Sequence, residues 1–359
     1  MSKNVPKKEE QIAIGIDLGT SITKLVGPDG KKVIKIPSII GDPNPGWKGL
    51  GTDNSWINNL VIVTDEGKKF FVGELARLQS EIKRPLAEKG KMKSMKDAII
   101  AIKAALSLFV EKDYANFIIA TGVPVASSQE EMTNLSSGLK GAMTINMAND
   151  ATGEEKQIHL KIDQCLVMPV CYGSYYDILK SSGEQRAVDS VVIDIGAGAT
   201  NILTVFEGRL MRTASGSVQE SISTLADRIA SSLNQQTGKI LRSFELIKAI
   251  EVGRKSVMIA GEQYDISDTI NYYVGAISDI IVDELSTLLS SLPPDAWIEK
   301  VILTGGGAEV FGEPMKNKLT EKSIVHTPDE FIVPKDPVVA NARGFQRIAL
   351  ARMEAPVKK

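Results

Sequence analysis

Ile14-Gly15-Ile16-Asp17-Leu18-Gly19-Thr20-Ser21-Ile22-Thr23-Lys24-Leu25 stands near the start of the chain, and Val191-Val192-Ile193-Asp194-Ile195-Gly196-Ala197-Gly198-Ala199-Thr200-Asn201-Ile202 lies past its middle. Asp17 aligns with Asp194 and Gly19 with Gly196, each after an apolar run of β-forming residues. Both stretches predict one unit: strand, Asp-x-Gly, a turn of small residues, strand. A repeat of this kind predicts two related halves. The chemistry follows from the residue types. A glycine-rich turn leaves backbone N–H groups uncovered, and such a concavity binds phosphate oxygens. An aspartate at the preceding strand end repels phosphate, so it makes sense if it faces a divalent cation or its waters. A single copy reads better as an ordinary hairpin with a glycine turn. Two copies in register favour a polyphosphate and its Mg²⁺ held between the halves.

The totals narrow the class. The 359 residues suffice for two domains with sizeable cores. Lys and Arg number 42 against 44 Asp and Glu, a net charge of -2, which supplies no field for general nucleic-acid or membrane binding. Cys165 and Cys171 sit in an apolar stretch without metal-ligand spacing and are expected to be buried free thiols in a reducing compartment. His159 and His326 are isolated, which argues against a histidine metal site or a Ser–His–Asp triad. Residues 1–11 are charged and lack the apolar core of a signal peptide, and no segment is long and apolar enough to span a bilayer. The expectation is a soluble cytoplasmic protein without direct nucleic-acid or membrane contact.

Along the chain, strands and helices alternate. Residues 31–40, 61–64 and 69–72 predict strands, and 41–51, rich in Pro and Gly, predicts a loop. The basic run Lys83, Arg84, Lys89, Lys91, Lys93 and Lys96 reads as a solvated helix face and loop. Helices are expected over 97–110, over 129–139 behind Ser127 and Ser128 as caps, and over 171–179. Strands are expected at 117–121, 142–147 and 157–162. After the second hairpin, 210–213 reads as a strand, and Ser215-Gly216-Ser217 is expected to cap a helix to about Asn234. Helices 244–252 and 269–289, a strand 263–266 between them and a strand 300–303 follow. Asp336-Pro337 is expected to start a last helix.

At this point the chain resembles the actin, Hsp70 and sugar-kinase ATPase superfamily. Gly15 to Ser21 resembles its first phosphate motif, Val192 to Thr200 its second, and Val301-Ile302-Leu303-Thr304-Gly305-Gly306-Gly307-Ala308 its adenosine motif. Met168-Pro169 through Tyr176 and Ala340-Asn341-Ala342-Arg343-Gly344-Phe345 resemble the two connecting helices. All five occur in the family's order across essentially the whole chain. Residues 70–76 and 121–124 are most similar to the ParM-type filament-forming bacterial and archaeal proteins, many of which segregate plasmids.

The resemblance implies an α/β actin-like ATPase fold with two related domains around a nucleotide cleft. Domain I would span 11–168 with a small subdomain at about 36–95, and domain II would span 169–335 with one at about 230–275. Residues 336–356 would form a helix returning to domain I, and 1–10 would be flexible. It implies ATP or GTP with Mg²⁺, and a head-to-tail filament of the chain with itself, with any DNA-binding adaptor being a separate protein. Amides around Gly19, Thr20 and Ser21, and around Gly196, Ala197 and Gly198, would cradle the phosphates. Asp17 and Asp194 would hold the metal through waters, with Asp194 orienting the attacking water. Gly305, Gly306 and Gly307 would let backbone approach the nucleoside. Lys24 either reaches a phosphate or faces the surface. Gly216 and Glu220 are candidates for ribose contact, although Glu220 also reads as ordinary helix-start charge.

One departure bears on rate. The family places a Gln or Glu directly after the Met-Pro-like pair to position the hydrolytic water, and here that residue is Val170. Valine accepts no hydrogen bond, so hydrolysis is expected to be slow. Gln164 is a candidate substitute. A small-molecule kinase and a non-polymerising nucleotide switch are the alternatives to a filament.

Overall fold

The computed structural model describes residues 11–44, 52–64 and 66–355. The expected flexible segment 1–10 and most of the expected loop 41–51 lie outside the described residues. Two mixed sheets carry the molecule. The larger has ten strands in the order Val33–Pro37, Ile22–Val26, Gln11–Leu18, Tyr114–Val123, Glu155–Pro169, Gly141–Asn149, Leu60–Val63, Lys69–Val72, Ile39–Gly41 and Lys83–Pro85. The smaller runs Arg209–Leu210, Thr200–Phe206, Ser190–Ile195, Lys300–Thr304 and Phe331–Ile332, with Gly216–Val218 added against Thr200–Phe206.

The repeat seen in the sequence becomes a repeat of topology. Gln11–Leu18 pairs antiparallel with Ile22–Val26, setting Asp17 opposite Lys24, and parallel with Tyr114–Val123. Ser190–Ile195 pairs antiparallel with Thr200–Phe206, setting Asp194 opposite Asn201, and parallel with Lys300–Thr304. Strands flanked on both sides and covered on both faces need apolar side chains throughout. Ile14, Ile16, Phe117 and Ile119 fill the core of the first sheet, and Val191, Ile193, Val301 and Leu303 that of the second.

The helices Cys171–Ser181 and Ala340–Glu354 join the two sheets, and they meet backbone to backbone. A β-carbon on Gly344 would lie 1.7 Å from the Gly173 carbonyl oxygen, and one on Gly173 would lie 2.3 Å from the Asn341 oxygen. The same helix presses on the first strand, where a β-carbon on Gly15 would lie 2.0 Å from the Ala342 oxygen. Only glycine admits such approach.

Several sequence expectations change. The helix after the second hairpin starts at Ile222, capped by Ser221 in a reciprocal pair with Thr224, and not at Ser215-Gly216-Ser217. Gly216–Val218 instead continues as a strand, with Gly216 opposite Ile202 and Val218 opposite Thr200. The unused pairing edge of Thr200–Phe206 outweighs the capping tendency of the serines. Residues 209–214 form a two-residue strand and a 3₁₀ turn. The last helix starts at Ala340 because the Pro337 carbonyl is bound by Gly305 N and Thr304 Oγ1.

Of the basic run, only Lys96 lies on a helix, Met95–Ser107. Ala87–Glu88 and Lys91–Met92 form a hairpin whose central residues, Lys89 and Gly90, have φ of 48° and 71°. That is the left-handed pair a two-residue hairpin demands. Arg84 is not simply solvated, since it bridges Asp42 and Asp97. Among the described residues no helix is long and apolar enough to cross a membrane.

Candidate functional site

Because each hairpin ends its first strand at an aspartate, the two sheets present those ends to one cleft of about 320 Å³. Asp17, Gly19, Thr20, Ser21 and Lys24 line it from the first hairpin, and Asp194, Gly196 and Ala197 from the second. Gly305 and Gly306 add to the wall. Gly198 does its work by closeness: a β-carbon there would lie 2.7 Å from Thr20 Oγ1 and 2.9 Å from Gly90 N. The two turns and the 87–92 hairpin thus touch. The Gly196 N–H is spent on the Ala199 carbonyl at 3.0 Å. Of the two residues that follow, Ala197 lies at the cleft wall, an arrangement that suits an anion, whereas Gly198 is buried against Thr20 and Gly90.

Gly305, at φ +89°, lets its strand end lie against the second aspartate, since a β-carbon would fall 2.3 Å from Asp194 Oδ1. Gly307 packs on Ile195 and donates to its carbonyl at 2.9 Å, outside the cleft wall.

Asp17 and Asp194 are both buried. Lys24 Nζ donates to Asp17 Oδ2 at 2.9 Å, so the lysine turns inward rather than to the surface. Asn341 Nδ2 donates to Asp194 Oδ2 at 2.9 Å. Ser174 Oγ in turn donates to Asn341 Oδ1 at 2.6 Å and sits 3.0 Å from Thr304 Oγ1. Both connecting helices therefore hold one carboxylate in orientation. Asn341 and Ser174 were missed as site residues, although Asn341 stands in a motif already singled out. Burial pushes the Asp194 carboxyl up to about 6, with the charge of Asp17 adding to it and Lys24 and Asn341 opposing. Two buried carboxylates sharing one lysine form an anionic pair that a divalent cation would satisfy. Among the described residues no group of three or more His, Cys, Asp or Glu forms a cage. Such a pair fits Mg²⁺, which keeps most of its waters and takes one or two carboxylates.

Gly216 and Glu220 do not reach the cleft lining. Gly216 packs toward Leu288, and Glu220 accepts from Arg228 Nη2 at 2.5 Å and from Thr224 Oγ1 at 3.2 Å. Gln164 is likewise remote, accepting from Arg352 Nε at 2.6 Å on the surface. Val170 does line the cleft, as do Asn201 and Glu309.

With this geometry in view, comparison with known proteins is informative. The family described as actin like proteins, N terminal domain, matches residues 15–173, and the archaeal actin homologue MreB-like family, C-terminal, matches 192–317. The two matches fall in order on the two halves, each taking in one of the hairpins. The chain belongs to the actin-like superfamily. Among relatives of this actin-like chain, the archaeal actin homolog of Thermoplasma volcanium is 25% identical over 348 residues, 94% of this chain and 98% of the relative. The actin-like protein MamK of Paramagnetospirillum magneticum is 22% identical, covering 97% and 95% of the two chains. The crystal structure of Ta0583, an archaeal actin homolog, superposes with a TM-score of 0.76 at 20% identity, over 95% of this chain and 99% of that one. The actin-like fold expected from the five motifs is the fold observed.

Proposed function

We propose that this actin-like chain binds a nucleoside triphosphate with Mg²⁺ in the cleft and, with it bound, assembles head to tail into filaments that hydrolyse it slowly. The observation that carries the reading is the pair of Asp-x-Gly hairpins, which bring Asp17 and Asp194, both buried, to one cleft beside uncovered turn amides. Amides of Gly19, Thr20 and Ser21 on one side and of Ala197 on the other receive the phosphates, with Lys24 adding charge. Asp17 and Asp194 hold the metal through its waters, and the metal neutralises phosphate charge. Asn341 fixes Asp194 for this task. The stretches 11–168 and 169–335 act as the two domains that close on the ligand.

Related structures support the reading. Ta0583 has been solved in complex with ADP, and a Bacillus thuringiensis ParM with AMPPNP. A further neighbour is a 15-stranded ParM filament from Clostridium botulinum. Base choice between ATP and GTP, a role in plasmid segregation and an adaptor belong to the proposal. The test is right-angle light scattering with Mg²⁺ and each nucleotide in turn, with phosphate release followed in the same cuvette. A nucleotide-triggered rise is expected, with phosphate lagging behind it. A flat trace alongside demonstrated nucleotide binding would refute assembly.

A further inference from the structure

One charged side chain of the cleft has no task in the reading above. Asp17, Lys24 and Asp194 belong to the phosphate end, and Glu309 is the remaining ionisable group of the lining. Sheet order says where it stands. Ser190–Ile195 has Thr200–Phe206 on one side and Lys300–Thr304 on the other. The turn between the first two lies against Thr20 of the other half, so the phosphates sit there and the nucleoside extends along the Lys300–Thr304 side. Burial falls off in that direction. Asp194 is buried, Gly305 and Gly306 are half-buried, and Glu309, in the first turn of the helix Ala308–Glu321, is exposed. Glu309 thus stands at the lip, beside the end of the ligand farthest from the phosphates. Its carboxylate makes no hydrogen bond or ion pair among the described residues. Around it, Gly305, Gly306 and Val338 bring no polar side-chain atom to the wall.

We propose that Glu309 selects the base of the nucleotide, and that the base is guanine. A carboxylate only accepts hydrogen bonds. The pairing edge of guanine carries two adjacent donors, its ring N–H and its exocyclic amino group, which two carboxylate oxygens receive side by side. The pairing edge of adenine carries one donor, its amino group, next to a ring nitrogen whose lone pair faces the second oxygen. The same carboxylate therefore attracts one purine and repels part of the other, and specificity needs both. The inference rests on the nucleotide reading above and adds to it which nucleotide the cleft takes.

The test is equilibrium binding of GDP, IDP and ADP, each with Mg²⁺, to the full chain by titration calorimetry. The parent is expected to bind GDP about 10- to 100-fold more tightly than ADP, the scale of one bidentate contact to a base. IDP keeps the ring N–H and lacks the amino group, so it is expected to fall between them. Glu309→Gln puts one acceptor and one donor at the same place, which suits the adenine edge. In that variant ADP is expected to bind at least as tightly as GDP. Glu309→Ala, a truncation at an exposed position, is expected to level the three affinities and stands in if Glu309→Gln does not fold. A parent without preference for GDP over ADP, or variants that keep the parent's order, would overturn the assignment. An equal loss for all three nucleotides would overturn it too, since it would put Glu309 against the ribose or phosphates that they share. A parent that binds none of the three refutes the nucleotide reading instead.

Discussion

Replacing Asp194 by asparagine isolates the energetic tension in the cleft. In an unfolded chain this carboxyl ionises near 3.8, whereas burial and the neighbouring Asp17 push it up to about 6 in the folded protein. Between those values the folded chain keeps a proton that the unfolded chain has released. Stability of the ligand-free protein therefore falls as pH rises through this window and levels off above it. The difference corresponds to about 3 kcal/mol, an order-of-magnitude figure. In the Asp194→Asn variant the new carboxamide would carry no charge at any of these pH values and could still pair with Asn341 through its oxygen. The variant should match the parent below pH 4 and exceed its stability by about 3 kcal/mol above pH 6. Urea unfolding of ligand-free protein at the two ends of the window measures this. At neutral pH the same variant should lose Mg²⁺-dependent nucleotide binding and turnover, so stability and function move in opposite directions. A variant no more stable than the parent at neutral pH, or one with unaltered turnover, would refute the reasoning.

Other outcomes follow from packing. Gly344→Ala drives a methyl to 1.7 Å from the Gly173 carbonyl and should cost at least about 3 kcal/mol in denaturant unfolding. Gly312→Ala, in a helix with nothing near the new methyl, should gain about 0.5–1 kcal/mol. Asp177 is buried between Arg343 and Arg347 at 3.1 and 3.0 Å. Arg343→Ala should destabilise by about 2 kcal/mol, less than for a fully orphaned charge because Arg347 stays. Ser128→Ala removes the cap whose Oγ accepts from Glu131 N at 3.1 Å and should lower thermal stability by about 1 kcal/mol.

The two hairpins could be read in advance because everything that shapes them is local: apolar runs, an aspartate, a glycine turn. The helix Gln129–Leu139 was legible to the residue for the same reason, since Ser128 and Glu131 cap each other. Where a distant edge decides, local rules fail. Ser215-Gly216-Ser217 has the composition of a cap, yet the free edge at Thr200–Ile202 draws Gly216–Val218 into the sheet and leaves Ser221 to start the helix. Neither Gly216 nor Glu220 is among the residues that line the cleft. The basic stretch was misread because charge count hides turn geometry, and Lys89-Gly90 decides it. Asn201 was readable in principle, since counting back across the hairpin pairs it with Asp194. Its approach to Val125 joins residues 76 positions apart, and no spacing rule announces that.

The crossing of Cys171–Ser181 over Ala340–Glu354 bears on how force would pass through a polymer. Where side chains interlock, one body turns on another only by repacking them. Gly173 and Gly344 meet as bare main chain, while Asp177 on one helix pairs with Arg343 and Arg347 on the other, so a turn at this crossing has to break ion pairs. Its neighbours in the Ser174–Asn341–Asp194 chain lie close to the crossing, where a turn displaces atoms least. The outer ends of both sheets lie on long arms, where the same turn displaces them most. Were subunits to join, a turn of one sheet against the other would thus be opposed at this crossing before it reached Asp194.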